Sequence, residues 1–85
     1  MGTTNLQSKS ALIIDDEEDI GRLLGFQLKK LGIKSDYASN LATGKELNKN
    51  EEYNLIFLDI NLPDGNGLDI IPELKESNNN VYIVV

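Results

Sequence analysis

One stretch of this chain, residues 55–68, constrains what the rest can fold into. It reads LIFLDINLPDGNGL: a four-residue apolar run, an acid at Asp59, a Pro-Asp-Gly turn at 63–65, and apolar residues that recur at helical spacing from Leu68. An apolar run this short, bounded by turn residues, is typical of a strand buried on both faces. Pro and Gly here occupy the second and fourth turn positions that favour them. The stretch therefore predicts a strand, a carboxylate at its carboxyl end, a turn and a helix.

A second apolar run, at residues 11–14, also ends in acids, at Asp15 and Asp16. Apolar residues then recur at helical spacing up to Leu31, which predicts an amphipathic helix. Gly32 suits the left-handed cap that ends many helices. The chain thus begins as its central stretch does, with a strand, an acid and a helix.

Two glycines lie four residues apart in this first helix, Gly21 and Gly25. They either permit close packing or are tolerated in a weak helix, and the sequence leaves both interpretations open. Pro72, early in the helix after Leu68, predicts a distorted first turn. The other predicted elements are a weaker strand at 33–38, a helix from 41 to about 50, a polar loop up to 54, a loop at 77–80 and an apolar strand at 81–85.

Strands and helices alternate through the chain with short loops, which predicts an α/β fold with a parallel sheet and right-handed crossovers. We expect the flavodoxin-like, doubly wound strand order 2-1-3-4, in which the topological switch point lies between strands one and three. Those are the two strands that end in acids. Asp15, Asp16 and Asp59 should therefore converge in one crevice at the carboxyl edge of the sheet.

Composition narrows the chemistry that such a crevice could support. The 85 residues allow one domain, with residues 1–9 expected as a disordered lead-in and 10–85 as the folded unit. A net charge of -6 argues against nucleic acid or an anionic membrane as a direct partner. The chain has no Cys and no His, which excludes thiolate metal sites and His bases. The polar N-terminus lacks the apolar core of a signal peptide, so a cytoplasmic location is predicted.

Carboxylates packed together repel one another unless a cation relieves them. Mg²⁺ prefers oxygen ligands and keeps several waters, and a neighbouring carboxylate can attack phosphorus to form an acyl phosphate. By themselves the acids at 15–19 favour the interpretation of a solvated helix start. The matching acid at Asp59 favours a Mg²⁺ and phosphoryl site.

The two motifs, ALIIDDE at 11–17 and the 55–68 stretch, resemble the receiver domains of bacterial two-component response regulators. The resemblance implies a CheY-like fold and a Mg²⁺ cofactor. It also implies that Asp59 accepts a phosphoryl group from a histidine kinase or a phosphotransfer protein. Asp15 and Asp16 match the acidic pair that holds the metal, with Asp59 and the main-chain carbonyl of Asn61 as further ligands. Such a domain is a phospho-acceptor rather than an enzyme, with self-catalysed phosphotransfer at most.

Receiver domains continue after their fourth strand with a hydroxyl residue, a fifth strand ending in Lys, and two more helices. The sequence stops at Val85, so we expect a partial receiver that lacks the fifth strand and the last two helices. The apolar edge at 81–85 then predicts a dimer or higher oligomer through that strand. The alternative is a receiver-like interaction module, or an incomplete fragment without phosphotransfer activity.

Two other carboxylate sites fit less well. A haloacid-dehalogenase-type phosphatase needs a second Asp two residues after the first, where this chain has Asn61. An EF-hand counted from Asp59 would have Asp64 at its glycine position and Ile70 at its final Glu position.

Overall fold

The computed structural model describes residues 9–85 of the chain. The predicted disordered lead-in therefore lies outside the described residues except for Lys9. The main-chain carbonyl of Lys9 accepts a hydrogen bond from the amide of Lys34 at 3.3 Å, so this residue already lies against the sheet.

Apart from a short hairpin after the third strand, which was not predicted, strands and helices alternate in the predicted order. They are β1 (Ser10–Ile14), α1 (Glu18–Lys30), β2 (Lys34–Ala38), α2 (Leu41–Asn50), β3 (Leu55–Leu58), β4 (Asn61–Leu62), β5 (Gly65–Asn66), a 3-10 turn (Gly67–Ile70), α3 (Ile71–Ser77) and β6 (Tyr82–Val84). Four of the strands form a parallel sheet in the order β2-β1-β3-β6. This is the predicted 2-1-3-4 order, with β6 as the fourth strand of the sheet, and it confirms the doubly wound α/β fold.

The sheet is covered on one face by α2 and α3 and on the other by α1. The first layer holds the larger core, which includes Leu12, Ile14, Ile56 and Leu74. The α1 layer holds Ala11, Ile13 and Leu28. All five residues of β1 are buried, as predicted for a strand covered on both faces. In β3 the prediction holds only in part, because Leu55 and Phe57, on the α1 face, are half-buried.

The apolar stripe of α1 is buried less than its spacing indicates. Leu28 is in the core and Leu24 packs against it, but Ile20, Leu23 and Leu31 are exposed. The helix ends as predicted: Gly32 has a φ of 81° and its amide donates to the carbonyl of Lys29. None of the described helices, α1 included, has the length and apolarity that crossing a bilayer requires.

The segment predicted as a polar loop before β3 contains a core residue. Tyr53 is 1% exposed, and its hydroxyl donates to a carboxylate oxygen of Asp36 at 2.6 Å. Burial, and then that hydrogen bond, raise the pKa of Tyr53. Asn78 donates to the carbonyl of Tyr53 at 2.9 Å, which joins this loop to the one before β6. Tyr53 is therefore part of the core, and this hydrogen bond links its loop to the loop before β6.

The turn after β3 is a small hairpin. β4 and β5 pair antiparallel, with Asn61 opposite Asn66 and Leu62 opposite Gly65, so the turn falls on Pro63 and Asp64 as predicted. A 3-10 turn follows before α3 begins, with Pro72 within its first two positions, which is the distorted helix start that this proline predicts.

Candidate functional site

Three carboxylates meet at the carboxyl edge of the parallel sheet. One oxygen from each of Asp15, Asp16 and Asp59 lies within 4.8 Å of the other two. Asp15 and Asp59 are half-buried and Asp16 is exposed. The structure thus brings together all three acids that the sequence predicts to converge.

Two of these acids are held by continuation of the sheet hydrogen bonding beyond the strand ends. The amide of Asp15 donates to the carbonyl of Ala38 at 3.0 Å, and the amide of Asp59 donates to the carbonyl of Ile14 at 2.9 Å. Because hydrogen bonds to neighbouring parallel strands fix the main chains of Asp15 and Asp59, both carboxylates are attached to the same ordered edge of the sheet.

The loop after β1 is fixed further by side-chain hydrogen bonds at Asp15. One carboxylate oxygen of Asp15 accepts from the amide of Glu17 at 2.8 Å, which forms the turn into α1. The carbonyl of Asp15 accepts from the hydroxyl of Tyr37 at 2.5 Å. The remaining carboxylate oxygen of Asp15 can still serve as a ligand.

A hollow of about 410 Å³ lies beside the acids. Its lining includes Asp15, Asp59 and Asn61 on the polar side, and Phe57 and Val84 on the apolar side. The amide of Asn61 lies 3.4 Å from a carboxylate oxygen of Asp59, at the long limit for a hydrogen bond. Asn61 therefore sits at the predicted place beside Asp59, and the ligand role of its carbonyl stays a prediction.

The donor set fits a hard divalent cation. In residues 9–85 the one salt bridge joins Lys45 and Glu73, so no Lys or Arg neutralises the three acids. Oxygen atoms this close to one another match the ligands that Mg²⁺ and Ca²⁺ take, with water completing the shell. A cation there would relieve the repulsion between the carboxylates.

Comparison with known proteins decides the family. The model of the response regulator receiver domain matches residues 11–85, which is nearly the whole described chain. The chain belongs to the response regulator receiver family. The resemblance carried by its two acidic motifs is thereby confirmed.

This receiver chain is 39% identical over 74 residues to the transcriptional regulatory protein CusR of Escherichia coli K12, covering 87% of the chain and 33% of CusR. It superposes with a TM-score of 0.85 on a response regulator from Burkholderia pseudomallei, crystallised with a phosphorylated aspartic acid, calcium and citrate. That match has 28% identity and covers 89% of this chain and 45% of the other. A chain from the crystal structure of the histidine kinase ThkA in complex with the response regulator TrrA also matches. That match has a TM-score of 0.79 and 31% identity, and it covers 88% of this chain and 65% of the other. The receiver chain therefore spans about a third of CusR and less than two thirds of either solved chain.

Gly67 packs closely against the main chain of Asp59, a role that the sequence did not predict. Gly67 is buried, and its amide donates to the carbonyl of Ile60 at 2.7 Å. A Cβ at this position would overlap the carbonyl oxygen of Asp59 and lie 3.1 Å from its carbonyl carbon. The Gly-Asn-Gly sequence at 65–67 indicates a position where a side chain does not fit, but it does not indicate that the main chain of Asp59 is the group that packs there.

A second such residue, Asp64, lies at the hairpin turn. Its two carboxylate oxygens accept from the amides of Leu41 and Ala42, at 2.8 and 3.0 Å, and so cap α2 from 23 residues away. These hydrogen bonds lower the pKa of Asp64 below its ordinary value. No local spacing signals a cap supplied from so far along the chain.

We expect this distant cap to make stability depend on pH in the acid range. Because the folded pKa of Asp64 is lowered, its contribution is present above its unfolded pKa of about 3.9 and is lost as pH falls through the folded value. Asp64→Asn should lower the urea midpoint at pH 7 and make the loss of stability below about pH 4 less steep. Asp69→Asn, which removes an exposed carboxylate nearby, is the matched control. If the urea midpoints of Asp64→Asn and wild type fell equally steeply below about pH 4, Asp64 would not be the source of the pH dependence.

Proposed function

We propose that this chain is the phospho-acceptor of a two-component system, with Asp59 receiving the phosphoryl group from a histidine kinase or a phosphotransfer protein. The observation that carries the proposal is the convergence of three carboxylate oxygens within 4.8 Å at the sheet edge. Asp15, Asp16 and Asp59, with the main-chain carbonyl of Asn61, would hold Mg²⁺. When bound, the ion would neutralise charge on the phosphoryl oxygens.

The chemistry assigned to the chain itself is nucleophilic attack by Asp59. A carboxylate oxygen of Asp59 forms a bond to phosphorus while the bond from phosphorus to the donor breaks. The donor keeps the electron pair of that bond and takes a proton from solvent, and Asp59 becomes an acyl phosphate. Asp59 suits this role because its main chain is anchored to β1 and its side chain lines an open hollow.

Two of the similar structures support this proposal. One was crystallised with a phosphorylated aspartic acid and a calcium ion, and the other is a complex of a response regulator with a histidine kinase. A calcium ion beside a phosphorylated aspartate is consistent with an oxygen-rich cation site. Because the chain belongs to the same family, we propose a histidine kinase as its partner and phosphoryl donor. The cytoplasmic location also stays a prediction from the sequence.

The test is incubation of the chain with Mg²⁺ and a small phosphodonor such as acetyl phosphate. We expect an acid-stable, base-labile phosphate adduct that peptide mass spectrometry maps to Asp59. Asp59→Asn should abolish the adduct because the amide is not a nucleophile, whereas Asp69→Asn should leave it unchanged. An adduct that persists in Asp59→Asn would assign the acceptor to another residue. No adduct on the wild-type chain would favour the interaction-module alternative.

A further inference from the structure

We infer that Tyr37 is a positioning residue for the acidic pair, holding the main chain of Asp15 so that Asp15 and Asp16 face Asp59. The inference rests on the proposed function, because it concerns the same metal site. Tyr37 lies on β2, outside the two motifs that define the site, and faces Ile13 of β1 in the sheet register. Its hydroxyl reaches over the end of β1 to the loop that carries both acids.

The hydrogen bonds at Asp15 carry the inference. The Tyr37 hydroxyl donates to the carbonyl of Asp15 at 2.5 Å, while the amide of Asp15 is fixed by Ala38 and its side chain by the amide of Glu17. The carbonyl and the amide of Asp15 are thus fixed by neighbouring residues of β2, and its carboxylate by the residue before α1. Since the Asp15 carbonyl belongs to the peptide unit that leads into Asp16, fixing it orients both acids.

Gly21 of α1 makes room for this arrangement. A Cβ on Gly21 would lie 2.5 Å from Cδ1 of the Tyr37 ring, so any larger residue must displace the ring. Gly25, one turn later, has only the Ser35 hydroxyl near its Cβ direction, at 3.3 Å. The sequence left open whether the two glycines permit close packing. The structure shows that Gly21 does permit close packing, and the group packed against it is the ring of Tyr37, whose hydroxyl reaches Asp15.

The hydroxyl of Tyr37 remains a donor at neutral pH. A phenol hydroxyl ordinarily titrates at about pH 10, so at about pH 7 it keeps its proton and can donate it to the carbonyl of Asp15. The ring also packs against the core cluster on the α1 side of the sheet, which contains Ile13 and Leu28. Removing the whole ring would therefore disturb packing, so the informative substitution is Tyr37→Phe, which deletes only the hydroxyl.

The test is calorimetric titration of the chain with Mg²⁺ alone, together with amide hydrogen exchange at Glu17. We expect Tyr37→Phe to raise the Kd for Mg²⁺ by about tenfold, the low end for loss of an outer partner at a metal site. We expect an effect at the low end of this range because Tyr37 bonds to the main-chain carbonyl of Asp15 and not to its carboxylate. The Glu17 amide should exchange faster in Tyr37→Phe even without metal. Tyr53→Phe, which deletes another buried hydroxyl far from the acids, is the matched control.

A second pair of variants tests the ring position. Gly21→Ala should weaken Mg²⁺ binding although alanine favours helix, whereas Gly25→Ala should bind as wild type does. Unchanged Mg²⁺ affinity in both Tyr37→Phe and Gly21→Ala would overturn the inference, as would an equal loss in Tyr53→Phe. If the wild-type chain itself takes up no Mg²⁺, the proposed metal site fails. The anchoring by Tyr37 is then decided by hydrogen exchange at Glu17 alone, where unchanged exchange would overturn it.

Discussion

Gly67→Ala should destabilise the fold by about 3 kcal/mol, at the high end for overpacking a filled site. The added methyl would meet the main-chain carbonyl of Asp59, which cannot rotate away as a flexible side chain could. The φ of Gly67 is not positive, so the cost comes from overlap and not from backbone strain. Domains this small have total stabilities near the low end of the range, about 5 kcal/mol. We expect a large fall in the urea midpoint, and weaker Mg²⁺ binding because Asp59 is displaced.

Gly25→Ala is the control for this substitution, because it makes the same chemical change where the new Cβ has only a side-chain hydroxyl at 3.3 Å. Replacing Gly by Ala there removes conformational freedom from the unfolded chain and should be neutral or stabilising. Both variants are compared at one protein concentration, since association shifts apparent stability. Equal midpoints for Gly67→Ala and wild type would show that the Asp59 loop moves freely, against the close contact described above.

The 85-residue chain should self-associate through the outer edge of β6. Within the described residues β6 pairs only with β3, and Tyr82, Val84 and Val85 are 77%, 45% and 60% exposed. An apolar strand edge without charge or proline is a site for pairing with another strand. A two-fold pairing of β6 with a second copy would satisfy both edges. Sedimentation at micromolar concentration should therefore show a dimer or larger species.

Val84→Lys should shift this equilibrium toward monomer, because a charged side chain on an edge strand opposes pairing. Leu31→Lys is the matched control: it adds the same charge at an apolar side chain that is 74% exposed, but on α1 and away from the edge. We expect the Val84→Lys monomer to melt less cooperatively than the associated wild-type chain. A wild-type chain that is monomeric at low concentration and melts sharply would overturn this expectation.

The convergence of the acids was predictable from sequence because it needs only two facts. Each apolar run ends in an acid, and in a parallel sheet the carboxyl ends of neighbouring strands share one edge. The alternation of strands and helices predicted a doubly wound sheet, and the flavodoxin-like strand order of such a sheet places Asp15 beside Asp59. An acid that directly follows an apolar run is a local feature of the sequence, and the order of the strands then brings these acids together in one site.

The supporting residues could not be predicted because their signals are not local. Tyr53 lies among charged and polar residues in the sequence, and its burial comes from packing into the core cluster under α2 and α3, with its hydroxyl satisfied by Asp36. The role of Gly67 depends on a main chain eight residues back that folds against it. The helical stripe of α1 predicted a buried face, yet spacing alone cannot say how much of that face the sheet is wide enough to cover.

The double capping of α2 bears on where a phosphate group can settle at this edge of the sheet. Helix N-termini attract phosphate because their first amides lack partners. In α2 the amides of Leu41 and Ala42 are taken by Asp64, and that of Thr43 by the side chain of Asn40. The helix end therefore offers an incoming anion no free donors among its first three amides, and it presents a carboxylate instead. A phosphoryl donor approaching this edge would meet no competing anion site at α2, so it would bind at the acid cluster, where a divalent cation offsets two of the three carboxylate charges and offers the phosphoryl oxygens a ligand position.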